Sequence, residues 1–153
     1  MLETILEKYQ LDTYIRCSNI IIELDGRGYA FPYITLSAWK KGKEENLLAQ
    51  FLHEQLHWIE KELEELFYRA IEELKTIFTN VPINKPEGGG SEKSTYTHLI
   101  VCRFELLALA ELLGKESAFR IVSGNSNYTW IRKTAINEGE MIDQVIRKYL
   151  GST

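Results

Sequence analysis

From about Glu44 to Phe78 the sequence keeps an uninterrupted helical pattern. A chain of this size must then build its core around one long helix, with an apolar stripe facing inward. Glu44 and Glu45 occupy the first turn, where negative charge is favoured by the helix macrodipole. The second half, Lys61 to Lys75, alternates Glu62, Glu64, Glu65, Arg69, Glu72 and Glu73 with Leu63, Leu66, Phe67, Ile71 and Leu74. That is a solvated face opposite a core stripe rather than an acidic ligand cluster. A kink or break is expected near 68–72. The first half differs: around His53, Glu54 and His57 the neighbours Phe51, Leu52, Gln55, Leu56, Trp58 and Ile59 are uncharged.

His53-Glu54-Gln55-Leu56-His57 is an H-E-x-x-H sequence. Residues four apart on an α-helix are separated by about 40° around the axis and about 6 Å along it. Both imidazoles therefore leave one face and can reach one metal ion, while Glu54 projects from the neighbouring flank as a candidate general base. Over about ten residues this segment resembles the zincin metallopeptidases, departing from their fuller pattern at Gln50. The resemblance implies a zinc-dependent peptidase: Zn2+ held by His53, His57 and a third ligand, and Glu54 moving a proton from the attacking water to the leaving amine. The substrate would be a peptide or protein.

The third ligand must come from elsewhere. In the metzincin pattern it would be a histidine at 63 after a glycine at 60, and the chain has Leu63 and Glu60. The gluzincin type, with a glutamate on a later helix, fits better. Tyr96 to Gly114 reads as a second core helix with Cys102, Leu109, Leu112 and Leu113 on one face, and Glu105 falls near the centre of that face. A carboxylate in an apolar stripe is costly unless paired, hydrogen-bonded or metal-bound, which makes Glu105 the first choice, although the residues around it do not form the N-E-x-x-x-D sequence. His98, two turns earlier, is the other candidate ligand, or else a hydrogen-bond donor to the developing oxyanion. The two are too far apart to share one ion from a straight helix. Glu60, one turn past His57, reads as a supporting or solvated carboxylate, and Tyr128 as a phenol within reach of a transition state.

The rest of the chain supplies the scaffold. Residues 2–14 read as a short amphipathic helix with Leu2, Ile5, Leu6 and Tyr9 at helical spacing. Asn19–Leu24 and Tyr29–Ser37 read as a β-hairpin closed by Asp25-Gly26-Arg27-Gly28. Pro32 cannot donate to a ladder, so the second strand is expected at an edge or bulged. By the resemblance, residues 31–37 are the candidate strand for pairing with extended peptide. Residues 79–95, with Pro82, Pro86 and three glycines at 88–90, read as a mobile loop able to cover a cleft. Ala118–Ser123 reads as a strand and Asn127–Ala135 as strand or extended chain. Asn137 would cap a last helix, Glu138–Leu150, with Met141, Ile142, Val145, Ile146 and Tyr149 as its stripe.

At 153 residues, 44% hydrophobic and 26% charged, this is one α+β domain of ordinary composition. A net charge of −4, with no basic stripe interleaved with aromatics, argues against nucleic acid as a partner. No apolar run reaches membrane-span length and the acidic N-terminus lacks signal-peptide character, so no membrane partner and a cytoplasmic location are expected. Cys17 and Cys102 lack C-x-x-C spacing and read as buried free thiols. The fold expected is a small zincin-like α+β domain, a β-hairpin packed on the H-E-x-x-H helix and a second core helix, with the oligomeric state left open. Two rivals remain: a zincin-fold protein whose metal serves regulation or partner binding, and a metal-free helical interaction module. A di-iron carboxylate protein would need a second E-x-x-H, which the sequence lacks.

Overall fold

The computed structural model describes residues 2–9, 11–23, 28–37 and 44–151. It is mixed α+β and mostly helical, and the chain divides into two compact units, Met1–Trp58 and Ile59–Thr153.

The first unit holds α1 (Leu2–Lys8), β1 (Ile20–Glu23), β2 (Ile34–Ser37) and α2 (Glu44–Leu56). The two strands are parallel, with Ile20 opposite Ile34 and Glu23 opposite Ser37, so the expected antiparallel hairpin is not formed. Asp25, Gly26 and Arg27 of the expected turn lie outside the described residues. Proline explains part of the difference. Residues 31–33 bend instead of extending, the strand starts only after Pro32, and Tyr29 folds back to exchange both backbone hydrogen bonds with Thr35, at 3.2 and 2.8 Å. In this two-stranded sheet β2 stands at an edge, as Pro32 led one to expect, with Thr35 alone among the described residues bridged to Tyr29 on the side away from β1 and all four of its residues buried. Ile21 and Ile22 of β1 are exposed.

β2 and α1 both pack on α2, where Ile5, Ile34, Leu36, Leu48, Phe51 and Leu52 are wholly inaccessible to solvent. The inward side of α2 is tied down by a polar clamp. Gln55, also fully buried, accepts hydrogen bonds at Oε1 from the amides of Arg16 (2.8 Å) and Cys17 (2.9 Å), and its Nε2 donates to the Cys17 carbonyl at 2.8 Å. One side chain thereby satisfies three backbone groups that burial would otherwise leave unmatched.

The helical pattern from 44 to 77 is divided into α2, α3 (Trp58–Glu62) and α4 (Glu64–Ile77), with breaks at His57 and Leu63. The break expected near 68–72 is absent, and α4 runs through it. Leu63 leaves helical geometry (φ −120°, ψ 38°), and Glu64 and Glu65 then supply acidic charge to the first turn of α4.

The second unit is built on α5 (Glu92–Leu113), surrounded by α4, α6 (Lys115–Ser123), α7 (Thr129–Asn137) and α8 (Gly139–Tyr149). α5 begins one turn before the expected Tyr96 because Ser91 caps it, its hydroxyl accepting from the Ser94 amide at 3.1 Å. Leu99, Ile100, Val101, Cys102 and Leu109 are fully buried, as befits a helix with neighbours on several sides. Residues 118–123 and 129–135, expected to be extended, are the helices α6 and α7. Their buried positions Ala118, Ile121 and Val122, and Ile131, Arg132, Thr134 and Ala135, recur at helical spacing despite the β-branched content. The Arg103 guanidinium joins three helices, donating from Nε to Asp143 of α8 at 2.7 Å and from Nη1 to the Ala135 carbonyl of α7 at 3.1 Å. Asn137 belongs to α7, and α8 starts after Glu138 without a side-chain cap.

The segment between α4 and α5 carries its own hydrogen bonds. Gly88 and Gly90 donate to the carbonyls of Asn84 and Ile83, both at 2.7 Å, and Thr95 links the Gly89 amide to the Pro82 carbonyl. A Cβ on Gly88 would collide with the Pro82 carbonyl oxygen, so the turn closes only around glycine. Among the described residues no helix is long and apolar enough to cross a membrane.

Candidate functional site

The H-E-x-x-H residues sit at the end of α2. His53 lies in the last turn, and His57 stands in the break just beyond it, its amide still bonded to the His53 carbonyl at 3.3 Å. The helical hydrogen bond is therefore kept across the motif, and the spacing acts as the sequence requires. The two imidazoles meet edge to face, with centroids 5.0 Å apart and planes at 77°. Rings this close can present one nitrogen each to a single ion at ordinary zinc–nitrogen distances of about 2.0–2.1 Å. His53 is buried and His57 half-buried.

Glu54 is also buried, with 8% of its surface exposed. The backbone of Gly28 runs against its carboxylate: a Cβ on Gly28 would overlap Oε1 of Glu54 and come within 2.8 Å of Nε2 of Gln50. The glycine noted in the sequence only as a turn signal is in fact the residue whose missing side chain leaves room for the candidate base.

In the second unit, His98 and Glu105 both lie on α5 and both are buried. His98 is held by its own helix, since Nδ1 stands 2.7 Å from the Ser94 carbonyl oxygen and 3.2 Å from the Ser94 hydroxyl. A carbonyl can only accept, so Nδ1 carries the proton and the lone pair of the neutral ring belongs to Nε2. This tautomer suits a metal ligand: the bond from the far nitrogen to a carbonyl orients the ring and raises the basicity of the ligating one. The Tyr128 ring lies on the imidazole, with centroids 4.1 Å apart and planes at 36°. Tyr128 itself has φ 59° and ψ 39°, a left-handed conformation that costs an L-residue about 1–2 kcal/mol.

Glu105 has found the partner its burial demanded. Arg132 of α7 donates from Nη1 to its Oε1 at 3.0 Å, and the two side chains are 5% and 2% exposed. Burial works against the guanidinium charge, but the neighbouring carboxylate outweighs it and holds the Arg132 pKa above the usual arginine value. Cys102, one turn before Glu105, is a free thiol pushed up to about 12, first by its complete burial. Cys17 is likewise free and buried. Arg132 escaped the sequence reading because its segment looked extended, and nothing in one sequence couples it to a glutamate on another helix.

Glu60, in α3, accepts a long 3.4 Å hydrogen bond from Tyr68 and stands 3.5 Å from the Lys93 ammonium. Those contacts give it a surface ion-pair role.

His53 and His57 in the first unit, and His98 in the second, are candidate metal donors. All three supply borderline imidazole nitrogen, a donor type that suits zinc. Comparison of the chain with protein-family profiles, with curated proteins and with solved structures finds no match.

Proposed function

We propose that this chain is a zinc-dependent hydrolase acting on peptide bonds, with His53, His57 and His98 as ligands and Glu54 as general base. The observation that carries the reading is the histidine pair at the end of α2, 5.0 Å between ring centroids, with a buried carboxylate between them in sequence. His98 is preferred to Glu105 as third ligand because its Nδ1–H bond directs a lone pair to Nε2, whereas the Glu105 carboxylate already neutralises Arg132. A zinc ion, when bound, supplies Lewis acidity that polarises a carbonyl and acidifies water. Glu54 takes a proton from the attacking water onto its carboxylate, holds it away from bulk solvent, and returns it to the nitrogen of the departing amine. The proposal rests on donor chemistry and helix spacing, and the zincin resemblance contributes the substrate class.

The primary test is the metal content of the purified chain. About one zinc per chain is expected after zinc is offered and the excess removed, with loss of the metal in His53→Ala. Absence of metal from the wild type would leave the two histidines a coincidence of sequence. One zinc per chain with a broad peptide library left uncut would shift the conclusion to a metal-binding protein without peptidase activity.

A second expected result concerns Gly28. Gly28→Ala must displace the Glu54 carboxylate, since the new methyl group would occupy its position. Zinc content should stay at the wild-type level while kcat falls about 10–100-fold, the scale of an ångström-sized misplacement of a reacting group. Unchanged turnover would mean that the base is not held where Gly28 approaches it.

A further inference from the structure

We infer that Tyr128 is a positioning residue that sets the plane of the His98 imidazole; this rests on the reading of His98 as a metal ligand. The Nδ1–H bond to the Ser94 carbonyl fixes one edge of the ring. That bond restrains the ring at its edge and not its rotation about the contact. The Tyr128 ring adds a restraint on the face, at 4.1 Å. Edge and face together narrow the direction of Nε2.

The backbone is arranged to bring that ring there. Among the described residues Tyr128 is the only non-glycine with positive φ, although glycine or asparagine would adopt the conformation more readily. Two hydrogen bonds hold it: the Thr129 amide donates to the Pro86 carbonyl at 3.0 Å, and the Arg132 amide donates to the Tyr128 carbonyl at 2.8 Å, opening α7. A large aromatic side chain at a strained position, with its face on a candidate ligand, points to a task for the ring. The face contact needs no hydroxyl, so phenylalanine should serve.

The test uses the full chain and cobalt(II) as the metal, with affinity read from the visible absorption of the bound ion. Wild type, His98→Ala, Tyr128→Phe, Tyr128→Ala and Tyr128→Gly are titrated, and each is melted in chelator to measure the fold without metal. Tyr128→Phe should bind within about twofold of wild type, while Tyr128→Ala and Tyr128→Gly should bind about 10–100-fold more weakly. Tyr128→Gly removes the backbone strain along with the ring, so its metal-free melting temperature should exceed that of Tyr128→Ala even though both lose affinity. Affinity that follows melting temperature across the series overturns the inference, as does Tyr128→Ala at wild-type affinity or Tyr128→Phe as weak as Tyr128→Ala. The underlying reading fails separately, by a wild type that binds no cobalt or by His98→Ala that binds as wild type does; either result removes the inference too.

Discussion

Glu54→Gln is expected to reduce kcat on a peptide substrate about 10²–10⁴-fold, the usual contribution of a positioned proton-transfer group, while the chain keeps its zinc. Glutamine has the size of glutamate and can still hydrogen-bond, but it cannot take up a proton at neutral pH. The substitution therefore separates chemistry from binding more cleanly than alanine would. Burial sharpens the test, because at 8% exposure water has little access to substitute for the missing carboxylate. Steady-state turnover of the zinc-loaded variant, beside its metal content, gives the answer. Full activity with zinc retained would exclude Glu54 as the base. Loss of zinc and activity together would show instead that the carboxylate supports the helix end.

The second large effect concerns the Arg132–Glu105 pair. Arg132→Met is expected to destabilise the α5–α7 packing by about 3–5 kcal/mol, the penalty for leaving one member of a buried ion pair without its counterpart. The side chains are 5% and 2% exposed, so solvent does little to screen the charge that remains. A double variant, Arg132→Met with Glu105→Leu, should recover most of that loss, since apolar replacement of a whole buried pair is often neutral. Chemical denaturation of the three proteins measures both effects. Glu105→Gln should leave metal content at the wild-type level if His98 is the third ligand. Zinc lost from that variant in a still-folded protein would return Glu105 to the metal.

The parts of this molecule that were legible in its sequence are those set by short spacing. The histidine pair follows from a separation of four residues, and the helices α2, α5 and α8 follow from apolar periodicity. Glu105 reads in the sequence as a buried carboxylate that needs a partner, with a metal as the first choice, whereas the partner the structure shows is Arg132, 27 residues away on a different helix. The segments of α6 and α7 read as extended because Phe119, Ile121, Val122, Tyr128, Trp130 and Ile131 are strand-favouring residue types, yet packing on α5 recruited the helical spacing of their buried positions. The strand pairing failed for a related reason. A short turn signal near residues 25–28 suggests a hairpin, whereas β2 is buried against α2 and the largely exposed β1 pairs beside it in parallel.

Gln55 has a consequence for the histidines that flank it. Apolar packing by itself is tolerant of direction, because the hydrophobic effect is non-directional. Three hydrogen bonds from one amide group to the peptide at Arg16 and Cys17 are not tolerant. They fix the angular phase of α2, and successive residues on a helix are separated by about 100°. The bearing of His53 and His57 about the helix axis is thus set by the unspecified residue between them, and the middle letter of the motif works as its compass.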